Sequence, residues 1–139
     1  MQIEPTETIG LNLLPPKVFK QNSGRLAAVE VVKNIPWLIE RIFFISSVST
    51  EHRGSHAHRV CNQFFVCISG SVLIQCRDGK NQIDFTLSDL ESSLIVPSGI
   101  WVDLHMDENT SIAVITDQKY DEADYINKWD EFLKFRGLA

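Results

Sequence analysis

Apolar residues recur along most of this chain in short runs separated by turn-forming residues, and only near the C-terminus do they fall at helical spacing. Val18-Phe19-Lys20, Arg25–Val32 and Arg41–Ile45 are the first runs, the second with partial alternation of apolar and polar positions. Asn62–Ser69 is nearly continuous in apolar residues, the pattern of a strand covered on both faces. Val72–Cys76, Gln82–Leu87, Leu94–Val96, Trp101–His105 and Ser111–Ile115 complete the series. The punctuation agrees. Gln21–Gly24 and Ser69-Gly70-Ser71 predict turns, Asn34-Ile35-Pro36-Trp37 a break, Pro97-Ser98-Gly99 a stop, and Asp78-Gly79 is the strongest hairpin signal. Val48–His52 reads as a loop. Residues 1–16, polar and ending in Pro15-Pro16, read as a segment that is frayed or lies across a partner. From Glu122 onward, Tyr125, Ile126, Trp129, Phe132, Leu133 and Phe135 predict a terminal helix capped by Gly137. About eight or nine short strands followed by one helix imply an all-β fold, a closed antiparallel sandwich or barrel.

At 139 residues the chain is one domain, residues 1–139. Its 44% hydrophobic and 22% charged residues are ordinary for a soluble globular protein. A net charge of −5 argues against a general nucleic-acid or anionic-membrane surface, though not against a local basic pocket. No apolar stretch is long enough to span a bilayer, and the N-terminus lacks the basic start and apolar run of a signal peptide, so the cytoplasm is the expected location. Cys61, Cys67 and Cys76 are odd in number and form no Cys-x-x-Cys pair, which predicts reduced thiols packed as small hydrophobes.

Candidate chemistry concentrates in Arg53-Gly54-Ser55-His56-Ala57-His58. On a strand, His56 and His58 project from the same face. Such a pair either satisfies a polar pocket by hydrogen bonding or transfers protons, since an imidazole titrates near about 6.5. The spacing resembles the cupin signature: His56-Ala57-His58, four residues, Gln63, six residues, Gly70, and later Pro97-Ser98-Gly99-Ile100-Trp101-Val102. In metal-binding cupins the positions of Gln63 and Val102 carry a glutamate and a histidine. A neutral amide is a poor ligand and valine is none, so neither a tightly bound metal nor another cofactor is expected.

A closer resemblance is to the sugar-nucleotide 3,4-ketoisomerases, the WxcM-like family of the cupin superfamily. It is carried by Asn34-Ile35-Pro36, Glu40-Arg41-Ile42, Arg53–His58, Ser69–Ser71, Pro97-x-Gly99-x-Trp101 and Tyr120–Ile126. The resemblance implies a cupin jelly roll, a double-stranded β-helix with one short C-terminal helix. It implies isomerisation of a dTDP-linked 4-keto-6-deoxyhexose to its 3-keto isomer through an enediol, as in deoxysugar synthesis for lipopolysaccharide or other glycans. His58 would be the base and His56 its neighbour in proton relay. Arg53 and Arg41 would hold phosphate or the developing enediolate, unless they serve only in surface ion pairs. Gln63, Trp101 and Tyr120 would contact the substrate, with Tyr125 either joining them or anchoring the helix. It further implies a homodimer in which residues 17–32 cross to the other subunit. Three departures stand out: phenylalanines at Phe43 and Phe44 where the family has a tyrosine, Val102 after the motif tryptophan, and Ser23-Gly24 with Arg25 displaced by one. They leave open a catalytically altered or inactive nucleotide-sugar-binding cupin, or an epimerase on the same substrate class. Asp103 reads either as a second carboxylate in the pocket or, the favoured reading, as a solvent-facing strand residue.

Overall fold

The structure is a computed structural model that describes residues 11–14, 17–31 and 33–139. Two five-stranded antiparallel sheets face each other. The first has β1 (Asn12–Leu14), β9 (Ser93–Val96), β6 (Gln63–Ser69), β11 (Ser111–Thr116) and β4 (Arg41–Ser46), in that order. The second has β12 (Tyr125–Ile126), β5 (Glu51–His58), β10 (Trp101–Met106), β7 (Ser71–Arg77) and β8 (Gln82–Ser88). β2 (Lys17–Gln21) and β3 (Gly24–Ala28) form a separate hairpin, and one helix, α1 (Trp129–Phe135), closes the chain. This is the jelly roll that the family resemblance implied, and it is one form of the closed antiparallel sandwich that the strand spacing predicted.

The apolar runs explain the layers. Alternation along β7 buries Val72, Ile74 and Cys76 between the sheets, against Leu104 and Met106 of β10 and Val114 of β11. The continuous run of β6 is buried on both sides. Phe65 and Cys67 enter this core, while Phe64 and Val66 pack outward beneath Ile35 and Trp37. Burying a side chain such as Phe64, at 0% exposure, contributes about 1.5–3 kcal/mol. All three cysteines are free and buried, and desolvation pushes the thiols of Cys61 and Cys76 up to about 11 and about 12.

Four boundaries differ from the expectation. β3 stops at Ala28 rather than Val32, because the chain turns back at Glu30, whose carbonyl takes the Asn34 amide and whose own amide donates to the Asn34 side chain. Asn12–Leu14 is a strand on β9 rather than irregular; residues 1–10 lie outside the described ones. β5 begins at Glu51, where a loop was expected, because β10 supplies partners from Met106 onward. Tyr125 and Ile126 are not helical: they pair with His58 and Ala57, and the helix starts only at Trp129. Its end is as expected. Gly137, at φ 73, donates to Lys134 and Leu138 to Leu133, a paired closure that satisfies the last carbonyls.

Candidate active site

β5 carries the motif and does not run straight. Val102 pairs with His56 and Asp103 with Gly54, so Ser55 is an extra residue and the strand bulges. Gly54 has φ 92, and a Cβ there would lie 2.6 Å from the Val102 carbonyl oxygen, so only glycine fits. Beyond the bulge His56 faces a cavity of about 350 Å³ between the sheets. Arg53, Gln63, Phe43, Val102 and Leu104 line it as well.

His58 lies beside His56, with ring centroids 5.1 Å apart and the rings nearly perpendicular. Tyr125 touches both, at 4.9 Å from His56 and 4.4 Å from His58. His58 is 6% exposed, and its Nδ1–H donates to Asp124 Oδ2 at 2.9 Å. That bond fixes the tautomer and leaves Nε2 as a buried lone pair with no hydrogen-bond partner among the described residues. Asp124 is held in turn by the backbone amides of Val60 at 2.7 Å and Cys61 at 3.4 Å. The guanidinium of Arg41 lies over the rings of Phe43 and Tyr120, at 4.5 and 5.1 Å, and Tyr120 adjoins Tyr125 at 5.8 Å.

Electrostatics keeps both histidines neutral. Burial lowers the His58 value, the hydrogen bond and charge of Asp124 raise it in part, and Arg41 lowers it further. Burial and then the charge of His58 lower His56, against smaller opposing effects of Gly54 and Asp103. Burial pushes Asp124 up, but the bonds from His58 and the backbone outweigh it and hold the carboxyl below its ordinary range. His58, Cys61 and Asp124 offer ligand atoms within 4.8 Å of one another. Asp124 already takes the His58 proton and two amides, and the Cys61 thiol, pushed up to about 11, stays protonated. The donor set therefore fits a hydrogen-bonded histidine–aspartate pair better than a metal centre.

The structure brings together His56, His58, Arg53 and Gln63, with Arg41 linked to them through Tyr120 and Tyr125. Trp101 lies elsewhere: it is buried beneath the helix against Trp129 and Phe132, on the face of β10 opposite Val102. Asp103 is on that outer face too, but at 6% exposure it is not solvent-facing. Two of the three departures, Phe43 and Val102, line the cavity, while Arg25 of the third hydrogen-bonds to the Asp89 carbonyl. Asp124 was not singled out from sequence. Its only signal was its place in the Tyr120–Ile126 motif.

A jelly roll holding a histidine pair, one member fixed by a carboxylate and the other open to a cavity, defines a cupin built for acid–base chemistry. The family model described as FdtA, WxcM-like, C-terminal, matches residues 10–137. A TDP-4-oxo-6-deoxy-α-D-glucose-3,4-oxoisomerase from Aneurinibacillus thermoaerophilus is 35% identical over 114 residues, 81% of this chain and 82% of that one. Among solved structures, a 3,4-ketoisomerase from Helicobacter canadensis superposes with TM-score 0.87 at 28% identity, covering 93% of this chain and 98% of its own. The sugar 3,4-ketoisomerase QdtA from Thermoanaerobacterium thermosaccharolyticum, solved with TDP, superposes with TM-score 0.85 at 26% identity, covering 91% and 94%. The chain belongs to the WxcM-like FdtA family.

Proposed function

We propose that this chain is a TDP-4-keto-6-deoxyhexose 3,4-ketoisomerase that works by histidine-mediated proton transfer. The observation that carries it is the buried, unpartnered Nε2 of His58, with Nδ1–H committed to Asp124, directly beside the cavity-facing His56. A neutral imidazole so held is a base. His58 Nε2 removes the proton from C3 of the sugar. The C3–H electrons become a C3=C4 bond, and the C4 carbonyl becomes an enolate oxygen. The O3 proton leaves as the C3 carbonyl forms, O4 is protonated, and a proton is delivered to C4. His56, in contact with His58 and facing the cavity, relays these protons. Arg53 on the cavity wall and Arg41 above Tyr120 bind diphosphate or the enediolate; a guanidinium suits both charges. Gln63 is the neutral cavity contact and Tyr120 a rim contact, whereas the placement of Trp101 favours a packing role.

The named activities of the relatives favour isomerase over epimerase. We further infer a homodimer in which the β2–β3 hairpin crosses to a second copy, and a cytoplasmic route that makes deoxysugars for lipopolysaccharide or other glycans. Among the described residues no helix is long and apolar enough to cross a membrane. Incubation with dTDP-4-keto-6-deoxyglucose in D2O, followed by NMR, tests the activity. A 3-keto product carrying deuterium at C4 is expected. Neither product nor exchange, with TDP still bound, would leave an inactive binding module instead.

A further inference from the structure

On the outer face of the second sheet, the Asp103 carboxylate gathers three donors: Ser55 Oγ at 2.6 Å, Arg77 at 2.9 Å and His52 Nε2–H at 3.1 Å. Burial raises this carboxyl, but the three bonds outweigh it and hold it below its ordinary range, so it remains a carboxylate. The donors are themselves fixed. Arg77 lies over the Trp129 ring at 4.5 Å, and His52 stacks on His105 with centroids 4.5 Å apart. Neither Asp103 nor its three partners line the cavity.

What this carboxylate grips is the extra residue of the bulge. Ser55 has φ 59, left-handed backbone that a serine adopts only when something holds it there. Along an unbroken strand, Arg53 and His56, three positions apart, would point to opposite faces. The inserted Ser55 shifts the phase by one residue, so that Arg53 and His56 both line the cavity, with His58 beside His56.

We propose that Asp103 and Ser55 are positioning residues: their hydrogen bond latches the bulge in the phase that aims His56 at the cavity and sets it against His58. The latch is read from geometry, and only its kinetic consequence rests on the isomerase reading. Neither residue touches the reacting atoms. The latch accounts for a buried, threefold-satisfied carboxylate on the side of β10 away from the chemistry.

Two variants test it. Ser55→Gly suits left-handed backbone but removes the hydroxyl, so the fold is retained while the latch is lost. Asp103→Asn keeps the shape and removes the charge. Asp84→Asn, on the same sheet and bonded to Gln75 and Gln82, is the control. The readouts are kcat and KM for the TDP-keto-sugar, and the Cε1–H NMR resonance of His56. That resonance feels the rings of His58 and Tyr125, at 5.1 and 4.9 Å, whether or not the enzyme turns over. Both test variants are expected to lower kcat about tenfold or more with KM within about twofold, since misplacement of a proton-transfer group acts on the transition state. The His56 resonance is expected to move in both and to stay put in the control. An unmoved resonance, unchanged kcat, or a rise in KM alone would overturn the latch. A moved resonance in a parent chain that does not isomerise would support the latch and refute the isomerase reading.

Discussion

The chemistry at His58 depends on which nitrogen carries the proton, and Asp124 decides that. With Nδ1–H donated to a carboxylate at 2.9 Å, Nε2 is free to accept a proton from carbon. His58→Asn removes the base, and kcat is expected to fall by about 10²–10⁴ with TDP affinity and melting temperature nearly unchanged. Asp124→Asn keeps the imidazole but lets it turn to the wrong tautomer, and a loss of similar order is expected. Single-turnover deuterium exchange measures both; full exchange in either variant would refute the assignment. The same residues link stability to pH. Both histidines have folded-state values below the ordinary 6.5, because burial disfavours their charged forms. As pH falls through 6.5 the unfolded chain takes up protons before the native one does. Stability is therefore full above 6.5 and declines below it, by at most about 1.4 kcal/mol per pH unit for each histidine. Asp124, depressed below 3.8, acts in the same direction at lower pH: its contribution is present above 3.8 and is lost as pH falls through its folded value. Urea midpoints measured at pH 7.5, 6.5 and 5.5 are expected to fall across the last interval, and His56→Asn to fall less. A flat profile would mean that the pair takes up protons in the native state as readily as in the unfolded chain, so that burial does not lower it.

At the scale of elements, the helix acts through what it covers. Phe132, at 0% exposure, closes a cluster of Ala57, Trp101 and Ile126, with Trp129 packed at its edge. Ala57 sits between the two histidines, and Ile126 follows Tyr125 on the strand that pairs with them. Phe132→Ala is expected to cost about 3–5 kcal/mol in denaturant unfolding and to weaken the β12–β5 pairing that keeps Asp124 against His58. A loss under 1 kcal/mol would mean that the helix is only loosely docked. These elements also show what could be read from the chain alone. The strands were legible because short apolar runs between turn residues have few other solutions. The histidine pair was legible because residues two apart share a strand face. Asp124 was not, because it meets His58 across 66 positions, and no local pattern encodes that contact. The bulge escaped notice because Arg-Gly-Ser reads as any polar strand or turn; its phase shift appears only once Asp103 stands opposite Gly54. Tyr125 and Ile126 fit a helical period by coincidence, and pairing with β5 prevailed over it.

For the whole molecule, the exposed apolar surface is unevenly placed. β4 is the outer strand of its sheet, so one of its edges is unpaired among the described residues, and Ile42 and Phe44 on it are 49% and 71% exposed. The β2–β3 hairpin joins neither main sheet and exposes Leu26 at 58%. An unpaired edge beside apolar side chains invites a further strand, and soluble chains generally cover such an edge. A hairpin from a second copy laid along β4 would extend the sheet and bury Phe44 and Ile42 together with Leu26. By twofold symmetry the same contact would form twice, which favours a closed dimer over an open chain of subunits. Light scattering of the purified protein is then expected to give twice 15.8 kDa, and the double variant Leu26→Asp, Phe44→Asp to give 15.8 kDa at the same concentration. Phe44 is 71% exposed and also borders the cavity, so the double variant is read by its mass in solution and not by its activity. A parent protein that runs as a monomer would sink the crossing hairpin. A double variant that stays dimeric would move the interface to another face of the barrel.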